Sequence, residues 1–271
     1  MSATPQPGAH QGTDSTRDRL IDAISTHGPI AAGDLAERFG LTGAAVRRHL
    51  TQLEADGIIQ ERESSQRTRT RGRPRKEFVL ATHADGGQLS ECEELALLAM
   101  AELEAAGGAD ALVRLARART DKWEREFHRR YRSELRRSGE MTPARRVSLV
   151  IELLQELGYA ASLRPVTVTV GAASDDGEGP SRTLTTVQLC QGRCPVQDIA
   201  TRHPELCDVE TAALSRMLGV PVQRLATRAS GAHVCTTHLT PAMGQAILAD
   251  AAAGGPGAEI TTDLLTEGRK P

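Results

Sequence analysis

Residues 42–53 read Thr-Gly-Ala-Ala-Val-Arg-Arg-His-Leu-Thr-Gln-Leu, and their spacing decides the N-terminal fold. Thr42 carries the short oxygen-bearing side chain that caps a helix start. Val46, Leu50 and Leu53 recur at i, i+4 and i+7, the buried stripe of a helix running to about Asp56, where Gly57 stops it. Ala44, Arg47, Arg48, Thr51 and Ala55 lie on the other side. Such a face suits a DNA major groove: small side chains allow close approach, and Arg donates to guanine edges or phosphates. Thr42, Ala44, Arg47, Arg48 and Thr51 are therefore candidate DNA contacts. The plainer reading is a solvated face on a three-helix bundle.

The flanking sequence weighs against that plainer reading. Upstream, 16–26 and 31–39 read as two short helices, separated by Gly28-Pro29, and Gly40-Leu41 forms the turn into the third. Downstream, 58–62 and 77–80 read as paired strands. Between them runs Arg67-Thr68-Arg69-Thr70-Arg71-Gly72-Arg73-Pro74-Arg75-Lys76, with basic residues alternating and no acid. In an extended hairpin, alternation puts the arginines on one face. Arg71, Arg73 and Arg75, around Gly72 and Pro74, are candidate phosphate or minor-groove contacts; the alternative is a basic linker. Helix, helix, turn, helix, hairpin is the order of a winged helix, spanning 16–82.

The chain has 271 residues, enough for more than one domain. Its net charge of −2 argues against a general nucleic-acid coat, but a local basic patch suffices for phosphates. Residues 1–15 read as a polar tail without a secretory signal. The longest apolar run, 95–101, is far too short for a bilayer. The expected location is the cytoplasm, with no membrane partner. There disulfides are rare, so the five cysteines read as metal or redox ligands rather than staples.

Beyond a linker, Ser90-Glu91-Cys92-Glu93 is a capping box opening a helix. Gly107-Gly108 separates it from a long amphipathic helix, about 110–137, where Trp123, Phe127 and Tyr131 form an aromatic stripe. That stripe is the candidate dimer element; packing within its own chain is the alternative. Thr142-Pro143 starts another helix, completing a helical linker and dimerisation region over 90–158. Strands near 166–170 and 184–189, a helix at about 209–218, and strands near 222–227 and 233–239 indicate an α+β sensor domain over 159–240. The Ala- and Gly-rich 241–271 reads as a tail. The fold class is mainly α with α+β.

Cys190, Cys194, Cys207 and Cys235 follow the pattern C-x3-C-x12-C-x27-C, while Cys92 stands apart. Four thiolates gathered in one domain can bind zinc or an iron–sulfur cluster. No tight two-residue zinc knuckle occurs, which favours a cluster; small buried hydrophobes are the remaining alternative. His203, His233 and His238 lie close enough in sequence to complete a ligand set. No nucleophile–base pair or Gly-rich phosphate loop appears, so the sequence makes no case for an enzyme.

These residues resemble a known family. The winged helix ending in Gly72-Arg73-Pro74-Arg75-Lys76-Glu77-Phe78 resembles the ArsR-related regulators. Cys194-Pro195, His203-Pro204-Glu205-Leu206-Cys207, Leu218-Gly219 and Gly231-Ala232-His233-Val234-Cys235 resemble the SufR branch, iron–sulfur-sensing repressors of cluster-assembly genes. The resemblance covers roughly 16–240. It implies a [4Fe–4S] cluster, a homodimer and a double-stranded DNA operator. Cys194, Cys207 and Cys235 match the ligand positions, and Cys190 fits a four-cysteine version. Two other classes stay open: a zinc-stabilised regulator of another signal, and a redox or electron-transfer protein.

Overall fold

A computed structural model describes residues 11–63, 76–81, 89–170 and 182–253. The backbone gathers into two compact units, Met1–Gly87 and Gln88–Pro271.

The first unit runs α1 (Gln11–His27), β1 (Ile30–Ala31), α2 (Ala32–Phe39), α3 (Gly43–Ala55), β2 (Ile59–Glu63) and β3 (Lys76–Leu80). Gly40 ends α2 in the left-handed conformation at φ 62°, with its N–H turned back to the Ala36 and Glu37 carbonyls. Two residues later the Thr42 hydroxyl oxygen accepts the Ala45 N–H at 3.2 Å and starts α3. The short interval between these caps sets the angle between the two helices. The strands pair antiparallel in the order β1-β3-β2, from Ile59 opposite Leu80 to Glu63 opposite Lys76. Lys76 also bonds Glu61 across the hairpin. Leu20, Ile24, Leu35, Val46, Leu50, Leu53, Ile59, Phe78 and Leu80 share one core. Strand β1 is too short for a periodicity to announce it.

The second unit runs α4 (Glu91–Ser138), α5 (Pro143–Glu156), β4 (Ala161–Val170), β5 (Arg182–Gln191), α6 (Gln197–Arg202), α7 (Glu205–Leu218), β6 (Gln223–Ala226), a 3-10 turn (Arg228–Ser230), β7 (Cys235–His238) and α8 (Pro241–Ala252). The capping box at Ser90 forms: its hydroxyl accepts the Glu93 N–H, and the Glu93 carboxylate accepts the Ser90 N–H at 2.8 Å. Gly108, at φ 65° and ψ −172°, breaks α4 into two stretches where the sequence placed its Gly-Gly interruption. The antiparallel sheet has the order β4-β5-β7-β6. No described helix is long and apolar enough to cross a membrane.

Three expectations change here. The aromatic stripe does not form a free dimer surface. Trp123 is 4% exposed and Phe127 fully buried, in a core with Val150, Leu163, Leu189 and Leu214 of the same chain. Trp123 meets Tyr159 edge-on at 5.6 Å, and Arg146 lies over Phe127 and Tyr131. The same core draws together the regions expected as a separate helical linker (90–158) and sensor (159–240). Finally, the expected tail from 241 onward begins as α8: Thr240 caps it, Pro241 opens it, and Met243 and Ile247, one turn apart, enter that core. Residues 254–271 lie outside the described residues.

Candidate functional site

On α3 the apolar stripe is buried, and Ala44, Arg47, Arg48 and Thr51 are exposed together on the opposite side. Among the described residues no carboxylate pairs with Arg47 or Arg48, so both guanidinium groups keep their donors for another partner. Thr42 and Thr51 are partly engaged. Thr42 accepts a backbone bond as the cap but retains its O–H to donate, as to a phosphate. Thr51 donates its hydroxyl to the Arg47 carbonyl at 3.0 Å, leaving only lone pairs to offer. Arg71, Arg73 and Arg75 lie outside the described residues. The hairpin arms that carry them, β2 and β3, are in register up to Glu63 and Lys76.

In the second unit, Cys194, Cys207 and Cys235 approach one another from three elements. Cys194 sits in the turn between β5 and α6; Cys207 in the first turn of α7; Cys235 at the start of β7. Burial pushes the Cys194 thiol up to about 12 and the Cys207 thiol to about 11, and the Glu210 carboxylate adds to both shifts. Burial also raises Cys235, where the Arg228 N–H, 3.2 Å from its sulfur, opposes the shift. Each of the three therefore stays a protonated thiol at neutral pH until something stabilises its anion.

Cys190 stands elsewhere. Gln191 of β5 lies directly opposite Cys235 of β7, and Cys190 lies opposite Thr236. Directly paired residues share a sheet face and successive residues alternate. Cys190 is thus on the face of Thr236, Gln188 and His238, while Cys235 is on the face of Gln191, Leu189 and Thr237. Burial raises the Cys190 thiol there; Arg164 opposes the shift and Cys235, on the adjoining strand, adds to it. Cys92 is exposed in the first turn of α4. His238 contacts Gln188 on the Cys190 face, His203 lies 3.4 Å from Glu205, and the His233 carbonyl accepts from Arg228 at 2.6 Å.

Polar atoms without partners lie on the Cys235 face of the sheet. Among the described residues, five buried side-chain polar atoms have no hydrogen-bond partner, and three are Gln191 Nε2, Arg224 Nε and Thr237 Oγ1. Arg224 pairs with Thr237, so all three share the inner sheet face with Cys235. A buried donor without an acceptor costs about 1–3 kcal/mol; sulfur anions in the pocket would relieve that cost. No group of three or more His, Cys, Asp or Glu side chains among the described residues is placed to hold a metal ion. A cubane makes a different demand, because it takes each ligand on a separate iron. The donor set on offer is three thiols from separate elements, which is compatible with a cluster's demand.

The sequence reading passed over Glu210, Arg119, Tyr159 and Arg224. Glu210 is buried on α7, three residues after Cys207. Its Oε1 accepts from Arg119 Nη1 and from the Tyr159 hydroxyl, both at 2.6 Å, and Arg119 also donates to the Tyr159 oxygen at 2.7 Å. One signal was available: Leu206, Glu210, Ala213, Leu214 and Met217 form a single helical stripe, and Glu210 is its one charged member.

Comparison with known proteins bears on the first unit. No curated protein and no solved structure matches the chain. The MarR family model matches residues 15–69, from α1 through β2. The match is to the MarR family and not to the ArsR-related regulators that the sequence resembles. The exposed α3 face and this match make the N-terminal unit the helix-turn-helix of a DNA-binding transcriptional regulator.

Proposed function

We propose that the chain is a repressor that reads a two-fold DNA operator as a homodimer and senses iron–sulfur status through a [4Fe–4S] cluster held by Cys194, Cys207 and Cys235. The observation that carries this reading is their approach beside Arg224 and Gln191, in a chain whose other unit is a helix-turn-helix. The SufR-like surroundings of the three cysteines support it. The cluster supplies a centre open to oxidants and to iron supply. The chain's part is to bind it: three thiolates tie the turn before α6, the start of α7 and the β7 edge together. Without that tie, these segments are free to separate, and DNA-competent and incompetent forms exchange as a population shift.

With Trp123 and Phe127 spent internally, the surface left for a second copy includes Leu95 and Leu98 on the first stretch of α4, 67% and 65% exposed. A two-fold dimer would place recognition helices about 34 Å apart, one turn of DNA. The test of the whole reading compares one anaerobic preparation before and after cluster removal. The loaded protein should show a broad brown absorption, iron and sulfide in equal amounts, and the tighter gel shift. Zinc instead of iron, or equal operator affinity in both forms, would overturn it.

Within the DNA interface, Arg47 or Arg48 reads a base edge, and Arg71, Arg73 and Arg75 hold phosphates or the minor groove. Ala at the base-reading position should cost about 1–3 kcal/mol at one base pair and relax preference there. Ala at all three wing positions should weaken every sequence alike and flatten the salt dependence by about 0.9 for each phosphate no longer neutralised. Equal losses on all sequences for both α3 variants would limit Arg47 and Arg48 to backbone positioning.

A further inference from the structure

The cluster reading leaves one iron without an assigned ligand, because the sheet register sets Cys190 on the opposite face from Cys235. The pocket contains another candidate. Glu210 is 3% exposed and lies on the same α7 face as Cys207, one helical turn on. Its two oxygens are not equivalent. Oε1 is held by Arg119 and Tyr159, whereas Oε2 has only Arg224 Nη1, at 4.0 Å and beyond hydrogen-bonding distance. Arg224 is half-buried; its Nη2 donates to Gln191 Oε1 at 3.2 Å, and its Nε has no partner among the described residues. Glu210 is thus a buried carboxylate close enough to act on all three thiols, paired with Arg119 through Oε1, while its Oε2 faces Arg224 and accepts no hydrogen bond among the described residues. A buried charge is retained where it is paired or bound to metal.

We infer that Glu210 supplies the fourth ligand of the cluster, through Oε2, completing the set with Cys194, Cys207 and Cys235. The inference rests on the cluster reading and goes beyond it by assigning an oxygen ligand. Arg119 and Tyr159 act as positioning residues: their bonds to Oε1 orient the carboxylate as outer partners orient metal ligands. Iron–sulfur clusters favour soft thiolate ligands, and carboxylate is a hard one. The Glu210-bound iron is therefore the most weakly held. Because Arg119 lies on α4, a change at that iron has a direct bonded route to the longest helix of the unit.

The test uses full-length protein reconstituted anaerobically with iron-57 and sulfide and examined by Mössbauer spectroscopy. In the wild type, about one quarter of the iron should be resolved from the thiolate-bound remainder. Glu210→Gln should shift or remove that quarter, with iron falling from about four towards about three per cluster. Cys190→Ser should match the wild type in iron content and spectrum. Four equivalent irons in the wild type would overturn the assignment. So would an unchanged spectrum in folded Glu210→Gln, or loss of the distinct iron in Cys190→Ser. If Glu210→Gln fails to fold, judged by circular dichroism, the wild-type and Cys190→Ser spectra still decide. A wild type that takes up no iron and sulfide overturns the cluster reading itself, an outcome distinct from a cluster with four equivalent irons.

Discussion

Cys207→Ser protein, purified anaerobically, is expected to be colourless and to release the operator, with affinity reduced at least about tenfold, or about 1.4 kcal/mol. The reason lies in the position of Cys207. It is the only one of the three proposed ligands on α7, and it stands in the turn next to Glu210. Serine preserves size and the local backbone bonds, including the Thr211 hydroxyl bond to the carbonyl of residue 207 at 2.7 Å. It removes the soft sulfur that iron–sulfur chemistry needs. The winged helix belongs to the other compact unit, with its own core, so it should stay folded. Cys92→Ser, at an exposed site in α4, should alter neither colour nor DNA binding. Measurement is by visible spectrum, iron and sulfide analysis, and an anaerobic gel shift. A brown Cys207→Ser variant would remove Cys207 from the ligand set.

Phe127→Ala should destabilise the second unit by about 3–5 kcal/mol, the range for emptying a packed aromatic site. Phe127 is fully buried among residues of α5, the sheet and α8, with the Arg146 guanidinium 5.9 Å from its ring centre. Neighbouring side chains cannot collapse into so large a void without disturbing several elements. The measurement is a denaturant unfolding curve, read beside the oligomeric state from sedimentation. The expected pattern is a lower midpoint with the subunit count unchanged while the protein is folded. A dissociated but equally stable protein would return the aromatic stripe to the dimer interface.

The two units differed in how legible they were. Thr42, Gly40, Gly57 and the Val46–Leu50–Leu53 stripe act over one or two helical turns, so their signals are local. The helix-turn-helix was therefore readable before any packing was known, as were the Ser90 capping box and the Gly108 break. The grouping of cysteines in the last third was readable too, because it needs only their positions along the chain. Short elements such as β1 and α6 left no usable pattern; they are held by their neighbours.

Three results needed the folded chain. An apolar stripe on a helix has the same spacing whether its partner is its own sheet or another subunit, so Trp123 and Phe127 could not declare their destination. The face of a strand residue depends on register. A slip of one residue would have put Cys190 beside Cys235 rather than behind it, and that register is set by the β5–β7 ladder from Gln188 opposite His238 to Gln191 opposite Cys235. Glu210 shows in the sequence only as one acid on an apolar stripe; Arg119, Tyr159 and Arg224, which give it partners, come from positions far apart in the chain. Helix starts, stops and stripes are short-range effects of backbone and side-chain geometry and are written along the chain. Which thiols meet, and which carboxylate meets them, depends on contacts between residues distant in sequence, and those exist only once both the sheet register and the helix packing are in place.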